Sequence, residues 1–182
     1  MEKKPQIIRV ETIARTRLFR VEQIDLRFAN GHERCYERLR PTRGEAVLVI
    51  PMLNRDTVLL IREYAAGVDR YELYLPKGWI DEGESIQEAA NRELQEEVGY
   101  GATQLQHIKS FTLSPGYVDH TTHIMLARDL YRDRTAGDEP EIIEVVPWPL
   151  HKLADLLARD DCTEARSIAA LFMARDYLAA QP

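Results

Sequence analysis

Two hydrophobic patterns divide the chain. Residues 46–50 (Ala-Val-Leu-Val-Ile) and 58–61 (Val-Leu-Leu-Ile) are unbroken apolar runs, as expected of central strands buried on both faces. Residues 7–13 and 18–28 instead alternate apolar or β-branched side chains with charged ones, the period-two pattern of half-buried strands. Asn30-Gly31 parts the second of these from a similar run at 33–39; both residues tolerate positive φ, which predicts a hairpin. A linker follows at 41–44. Further strands are predicted at 72–75, 104–113 and 122–130, with Ser114-Pro115-Gly116 turning between the last two. Residues 134–144 hold Gly137, Pro140 and several acids and read as a loop, and 142–148 as a returning strand. Helical periodicity covers 150–158 and 163–178, with Ile168, Leu171, Phe172 and Leu178 on the predicted core face of the second.

The most sharply marked helix is predicted at 85–98. Ser85 can accept a bond from a first-turn amide while Glu88 reaches back to the amide of Ser85, closing a capping box. Gly99 supplies the permissive backbone that commonly ends a helix. Winding at about 100° per residue lines up Ile86, Ala90, Leu94 and Val98 as the core-facing stripe. Glu97 falls inside that stripe, Glu93 on its edge and Glu96 a little further round. Three carboxylates thus crowd one flank, one of them on the side assigned to the core. Two arrangements account for them: a hard divalent cation bound by carboxylate oxygen, or a solvated acidic face with Arg92 paired to Glu96 across one turn.

Composition narrows the function classes. With 182 residues, 45% apolar and 30% charged, the chain suits one globular domain or a domain with an appendage. We divide it into a β extension at 1–43, expected to mediate dimerisation, and a main domain at 44–182. The net charge of −6 disfavours nucleic acid and anionic membranes as partners, so an anionic substrate must be held by local cations. Cys35 and Cys162 form no metal-binding or redox pattern and are expected as free thiols. No run approaches the ~20 apolar residues that span a bilayer, and the first residues lack an apolar signal core; a cytoplasmic location is the expectation.

Residues 78–100 resemble the signature of the Nudix hydrolases, G-x5-E-x7-R-E-U-x-E-E-x-G-U with U a bulky apolar residue. Gly78, Glu84, Arg92, Glu93, Leu94, Glu96, Glu97 and Gly99 match it in spacing, with Tyr100 in the last apolar slot. The resemblance implies an α/β fold, the Nudix α/β/α sandwich with a mixed central sheet, here carrying an N-terminal antiparallel β extension. It also implies a pyrophosphohydrolase acting on phosphorus anhydrides with Mg²⁺, or alternatively Mn²⁺. By the same resemblance Glu93 and Glu97 are the main metal ligands, with Glu96 and the backbone carbonyl of Lys77 joining them. Arg92 orients the carboxylates, and Gly78 and Glu84 support the loop.

Pro115, sixteen residues past Gly99, resembles the ADP-ribose pyrophosphatase subgroup, and local runs at 36–38, 62–64, 137–141 and 164–166 resemble the branch of the family that hydrolyses ADP compounds. That implies substrates in which ADP is linked to another moiety: ADP-ribose, NADH or diadenosine polyphosphates, cleaved to release AMP. It further implies that Glu139 or Glu141, in the acidic loop, supplies the general base or another metal ligand. Arg62 is implied as a substrate contact, and Phe19, Tyr36 and Arg38 as adenine or phosphate contacts within a homodimer; His120 and His123 are weaker candidates. Two departures stand out: Tyr74 and Asp119-His120 occupy places where the subgroup usually carries glutamate. The alternative reading is a catalytically silent nucleotide-binding sensor on the same fold, against which the intact Glu93, Glu96 and Glu97 argue.

Overall fold

The computed structural model describes residues 3–137 and 140–180. It contains two compact units, one comprising residues 1–45 with 112–121, the other residues 46–111 with 122–182.

The first unit is an antiparallel meander of β1 (Gln6–Arg15), β2 (Phe19–Arg27) and β3 (Glu33–Pro41), in that order. Gly31 turns the predicted β2–β3 hairpin at φ +82°, while Asn30 Oδ1 accepts the His32 N–H. β1 is exposed along its whole length, leaving Ile7, Ile8, Val10 and Ile13 open to solvent. β2 by contrast buries Ile24 and Glu22. Residues 112–121, part of the main domain in the expected division at 43, pack with this unit. The Leu39 N–H donates to the Tyr117 carbonyl at 2.7 Å and the Asp119 N–H to the Leu39 carbonyl at 2.9 Å, so the segment extends the β3 edge.

The second unit has two sheets. One runs β10–β5–β6 (Glu144–Pro149, Thr57–Ala65, Arg70–Tyr74); the other runs β7–β4–β9–β8 (Lys77–Trp79, Ala46–Pro51, Thr121–Arg132, Tyr100–Thr112), with β4 and β9 parallel. Alternation along the apolar strands explains the layers. Leu48, Ile50, Leu60, Ile124 and Leu126 face one core, shared with Leu153 and Leu156 of α2 (Leu153–Leu157) and Ala170, Leu171 and Ala174 of α3 (Ala165–Ala179). Val47, Val49, Leu59, Ile61 and Met125 face the other, shared with Ala89 and Ala90 of α1 (Ile86–Glu93) and with Leu94 and Val98 beyond it. Helices therefore cover both faces, the expected α/β/α arrangement with a mixed sheet.

Two local expectations are corrected. The returning strand begins at Glu144, not at 142; Ile142 is 93% exposed. On α3 the core face runs through Ser167, Ala170, Leu171 and Ala174 with Ile168 and Leu178 at its flank, whereas Phe172 lies off it beneath the Arg175 guanidinium. Periodicity counts an aromatic as core wherever it falls; stacking under arginine satisfies the ring at a surface position. Both cysteines are free, and among the described residues no helix is long and apolar enough to cross a membrane.

Candidate active site

The site is built on β7, the loop after it and α1. Ser85 caps α1 with both bonds of the capping box in place: its side chain accepts the Glu88 N–H, and Glu88 accepts the Ser85 N–H at 2.8 Å. The helix then changes character. Residues Leu94–Val98 form a wider π turn, closed by the Gly99 N–H donating to the Leu94 carbonyl five residues back, a departure concentrated at functional sites. Gly99 ends it at φ +80°, in the left-handed region that only glycine enters without strain.

Arg92 is the hub. Its Nε and Nη2 donate to the two oxygens of Glu84 at 2.9 and 3.0 Å, a bidentate pair, and Nη2 also reaches the Trp79 carbonyl at 2.8 Å. Nη1 donates to Glu93 at 2.7 Å and to Glu96 at 3.1 Å. Glu84 in turn accepts the Asp81 N–H, so one guanidinium ties loop to helix and orients three carboxylates. The Arg92–Glu96 pair of the bland arrangement exists, but as one bond of five. Arg92 holds the Glu84 carboxyl below its ordinary range.

The two carboxylates nearest the core are less well balanced. Burial pushes the Glu93 carboxyl up, with Arg92 pulling it back. Burial pushes Glu97 well above the usual range, opposed by the Lys77 ammonium and by the Lys77 backbone N–H, which donates to Glu97 Oε2 at 2.9 Å. Gly78 shows why the signature opens on glycine: a Cβ there would stand 2.0 Å from Glu93 Oε1. The strand must pass against the carboxylate with no side chain between.

This donor set suits a hard divalent cation. Glu93 and Glu97 are 8% and 3% exposed, oxygen-only, and short of positive charge. Among the described residues no three His, Cys, Asp or Glu side chains are gathered closely enough to hold a metal alone. Mg²⁺ does not require that, because it usually binds one or two carboxylates and keeps water and substrate phosphate for the rest of its shell.

Other predicted residues lie around this centre. Glu96 and Glu141 line one cavity of about 370 Å³, together with Arg134 and Ile143. Arg62, Glu63, Tyr64 and Glu141 line a second of about 70 Å³. Glu141 accepts a bond from the Tyr71 hydroxyl at 2.9 Å; Glu139 lies outside the described residues. Arg62 pairs with Glu144 and Asp161. His123 places Nδ1 2.9 Å from Ser110 Oγ. Phe19, Tyr36, Arg38 and His120 belong to the first unit, where Arg38 binds Glu22 and Asp119. Sequence reasoning missed Asp161, Tyr71 and the side chain of Lys77, whose ammonium stands 3.2 Å above the Tyr74 ring. The first two carry no local signal, since their partners are distant in sequence.

Comparison with known proteins agrees with this geometry. Residues 42–172 match the NUDIX domain, and residues 5–38 match the NudE-type Nudix hydrolase N-terminal domain. The chain is 51% identical to the ADP compounds hydrolase NudE of Escherichia coli K12, over 98% of this chain and 95% of that one. It is 28% identical to an ADP-ribose pyrophosphatase of Bacillus subtilis, over 88% and 90% respectively. A crystal structure of an ADP compounds hydrolase, 50% identical, superposes with a TM-score of 0.91 over 100% of this chain and 97% of that one. With the signature loop and helix in place and the domain matched across most of the chain, this protein belongs to the Nudix hydrolase family and is an enzyme of it.

Proposed function

We propose that the enzyme hydrolyses the pyrophosphate bond of ADP-linked compounds (ADP-ribose, NADH and diadenosine polyphosphates) with Mg²⁺, releasing AMP. The observation that carries this reading is the surplus of carboxylates on α1 and its π turn, beside the cavity that Glu96 and Glu141 line; the names of the relatives supply the substrate class. A divalent ion bound there supplies charge neutralisation at the pyrophosphate oxygens and a more acidic water. Glu93 and Glu97 hold it, with Glu96 and the Lys77 carbonyl as auxiliary ligands. Arg92 fixes the carboxylates, and Glu84 braces Arg92. Glu141 or Glu139 takes the proton of the attacking water, which for Glu141 requires release from Tyr71. Arg62 contacts substrate.

The exposed apolar side chains of β1 support a homodimer through the first unit, because a three-stranded meander this thin leaves them uncovered. Sedimentation should give twice the 21.0 kDa chain mass; a compact, active monomer at micromolar concentration refutes it. The functional reading is tested by a substrate panel assayed with Mg²⁺ and with EDTA. AMP should appear from at least one ADP-linked compound and disappear on chelation. Absence of AMP from every member of the panel overturns it.

A further inference from the structure

The Lys77 side chain has no role in the reading above, which uses only its backbone. Its position is unusual. The ammonium sits 3.2 Å over the centre of the Tyr74 ring, a favourable seat for a cation. The platform is fixed: Tyr74 is buried, and its hydroxyl donates to Glu63. Burial pulls the ammonium below its ordinary range while Glu97, Glu63 and Glu164 oppose that pull, and among the described residues its side chain makes no ion pair and no hydrogen bond. Three N–H donors are therefore left over beside the deepest carboxylate of the site. A lysine serving only to neutralise Glu97 could fold onto that carboxylate, which the Lys77 backbone N–H already touches at 2.9 Å. The side chain reaches instead to the ring.

We propose that Lys77 is a substrate-binding residue whose ammonium, held out on Tyr74, takes a non-bridging phosphate oxygen of the pyrophosphate. This rests on the pyrophosphohydrolase reading for its ligand class. The compact ammonium suits a single phosphate oxygen, for which bidentate geometry is not needed.

The test is binding rather than turnover. ADP and adenosine are titrated calorimetrically into wild type, Lys77→Met, Lys77→Arg and Tyr74→Leu, each checked by thermal melting. Losing one charge-assisted contact should weaken ADP by about tenfold to a hundredfold in Lys77→Met. Adenosine, which has no phosphate, should bind all four alike, and Lys77→Arg should recover part of the loss. Tyr74→Leu should show a smaller loss confined to ADP. Unchanged ADP affinity in a folded Lys77→Met overturns the proposal. So does tighter Mn²⁺ binding with ADP unaffected, which would make Lys77 an internal counter-ion of Glu97. Should wild type release no AMP from any substrate while Lys77→Met still loses ADP selectively, the pyrophosphohydrolase reading falls and the phosphate contact stands.

Discussion

Two clusters of carboxylate and arginine, one from each unit, are balanced differently. In the first unit Glu22 is 5% exposed, bound by Arg38 at 2.8 Å and approached by Arg40; both arginines also reach Asp119. Two carboxylates there meet two guanidinium groups. Around α1 and its π turn, Glu84, Glu93 and Glu96 share Arg92 as their one ion-pair partner among the described residues, and Glu97 receives a backbone N–H and the pull of the Lys77 ammonium. Burial is comparable, so charge balance makes the difference. An isolated buried charge is expensive and a paired one is tolerated. The balanced cluster is complete as it stands; the unbalanced one is finished by something that binds.

Four substitutions test this contrast. Glu97→Gln should lower turnover by orders of magnitude, because a ligand charge is lost, while the metal-free melting temperature stays level or rises. A near-normal rate would remove Glu97 from the metal site. Gly78→Ala should cost roughly tenfold to a hundredfold in kcat, since the new methyl displaces the Glu93 carboxylate and small misplacements of catalytic groups are costly. Circular dichroism should remain native, and an unchanged kcat would mean that Glu93 need not stay where Gly78 lets it lie.

Glu22→Gln should behave in the reverse way, losing about 1–3 kcal/mol of stability as a buried charge-assisted pair is weakened, with kcat kept. A loss of kcat without a loss of stability would erase the distinction between the clusters. The smallest effect concerns Glu164, the cap of α3. Burial works against its charge, but Arg166 and Ser167 outweigh burial and hold the carboxyl below its ordinary range. Its stabilisation is thus present above the unfolded-state value and lost as pH falls through the lower folded one. Glu164→Gln should flatten the fall in melting temperature as pH drops below the ordinary carboxylate range; an unchanged slope would assign acid sensitivity elsewhere.

Much of this was legible in the sequence, and the reasons are specific. The runs at 46–50 and 58–61 announce strands buried on both faces because every position is apolar, and Ser85, Glu88 and Gly99 mark the helix because their backbone chemistry is local. Glu97 could be placed toward the core by angle alone. The π turn left no trace, since a hydrogen bond from residue 99 to residue 94 is not written in side-chain periodicity. The partners of Arg62 are hidden for a related reason: Glu144 and Asp161 lie 82 and 99 residues away, and pattern reasoning sees only neighbours. The same holds for residues 112–121, which joined the first unit through backbone bonds to Leu39.

The π turn also constrains which lengths of chain this site accepts. Of the residues between Leu94 and Val98 only Gln95 is not a glutamate. Removing it would let the Gly99 N–H reach the Leu94 carbonyl as an ordinary α-helical bond, with Val98 and the terminal glycine kept in place. Glu96 would then move up into the place of Gln95, three residues from Arg92 in place of four. A single codon deletion could thus re-aim one carboxylate while leaving every signature residue present.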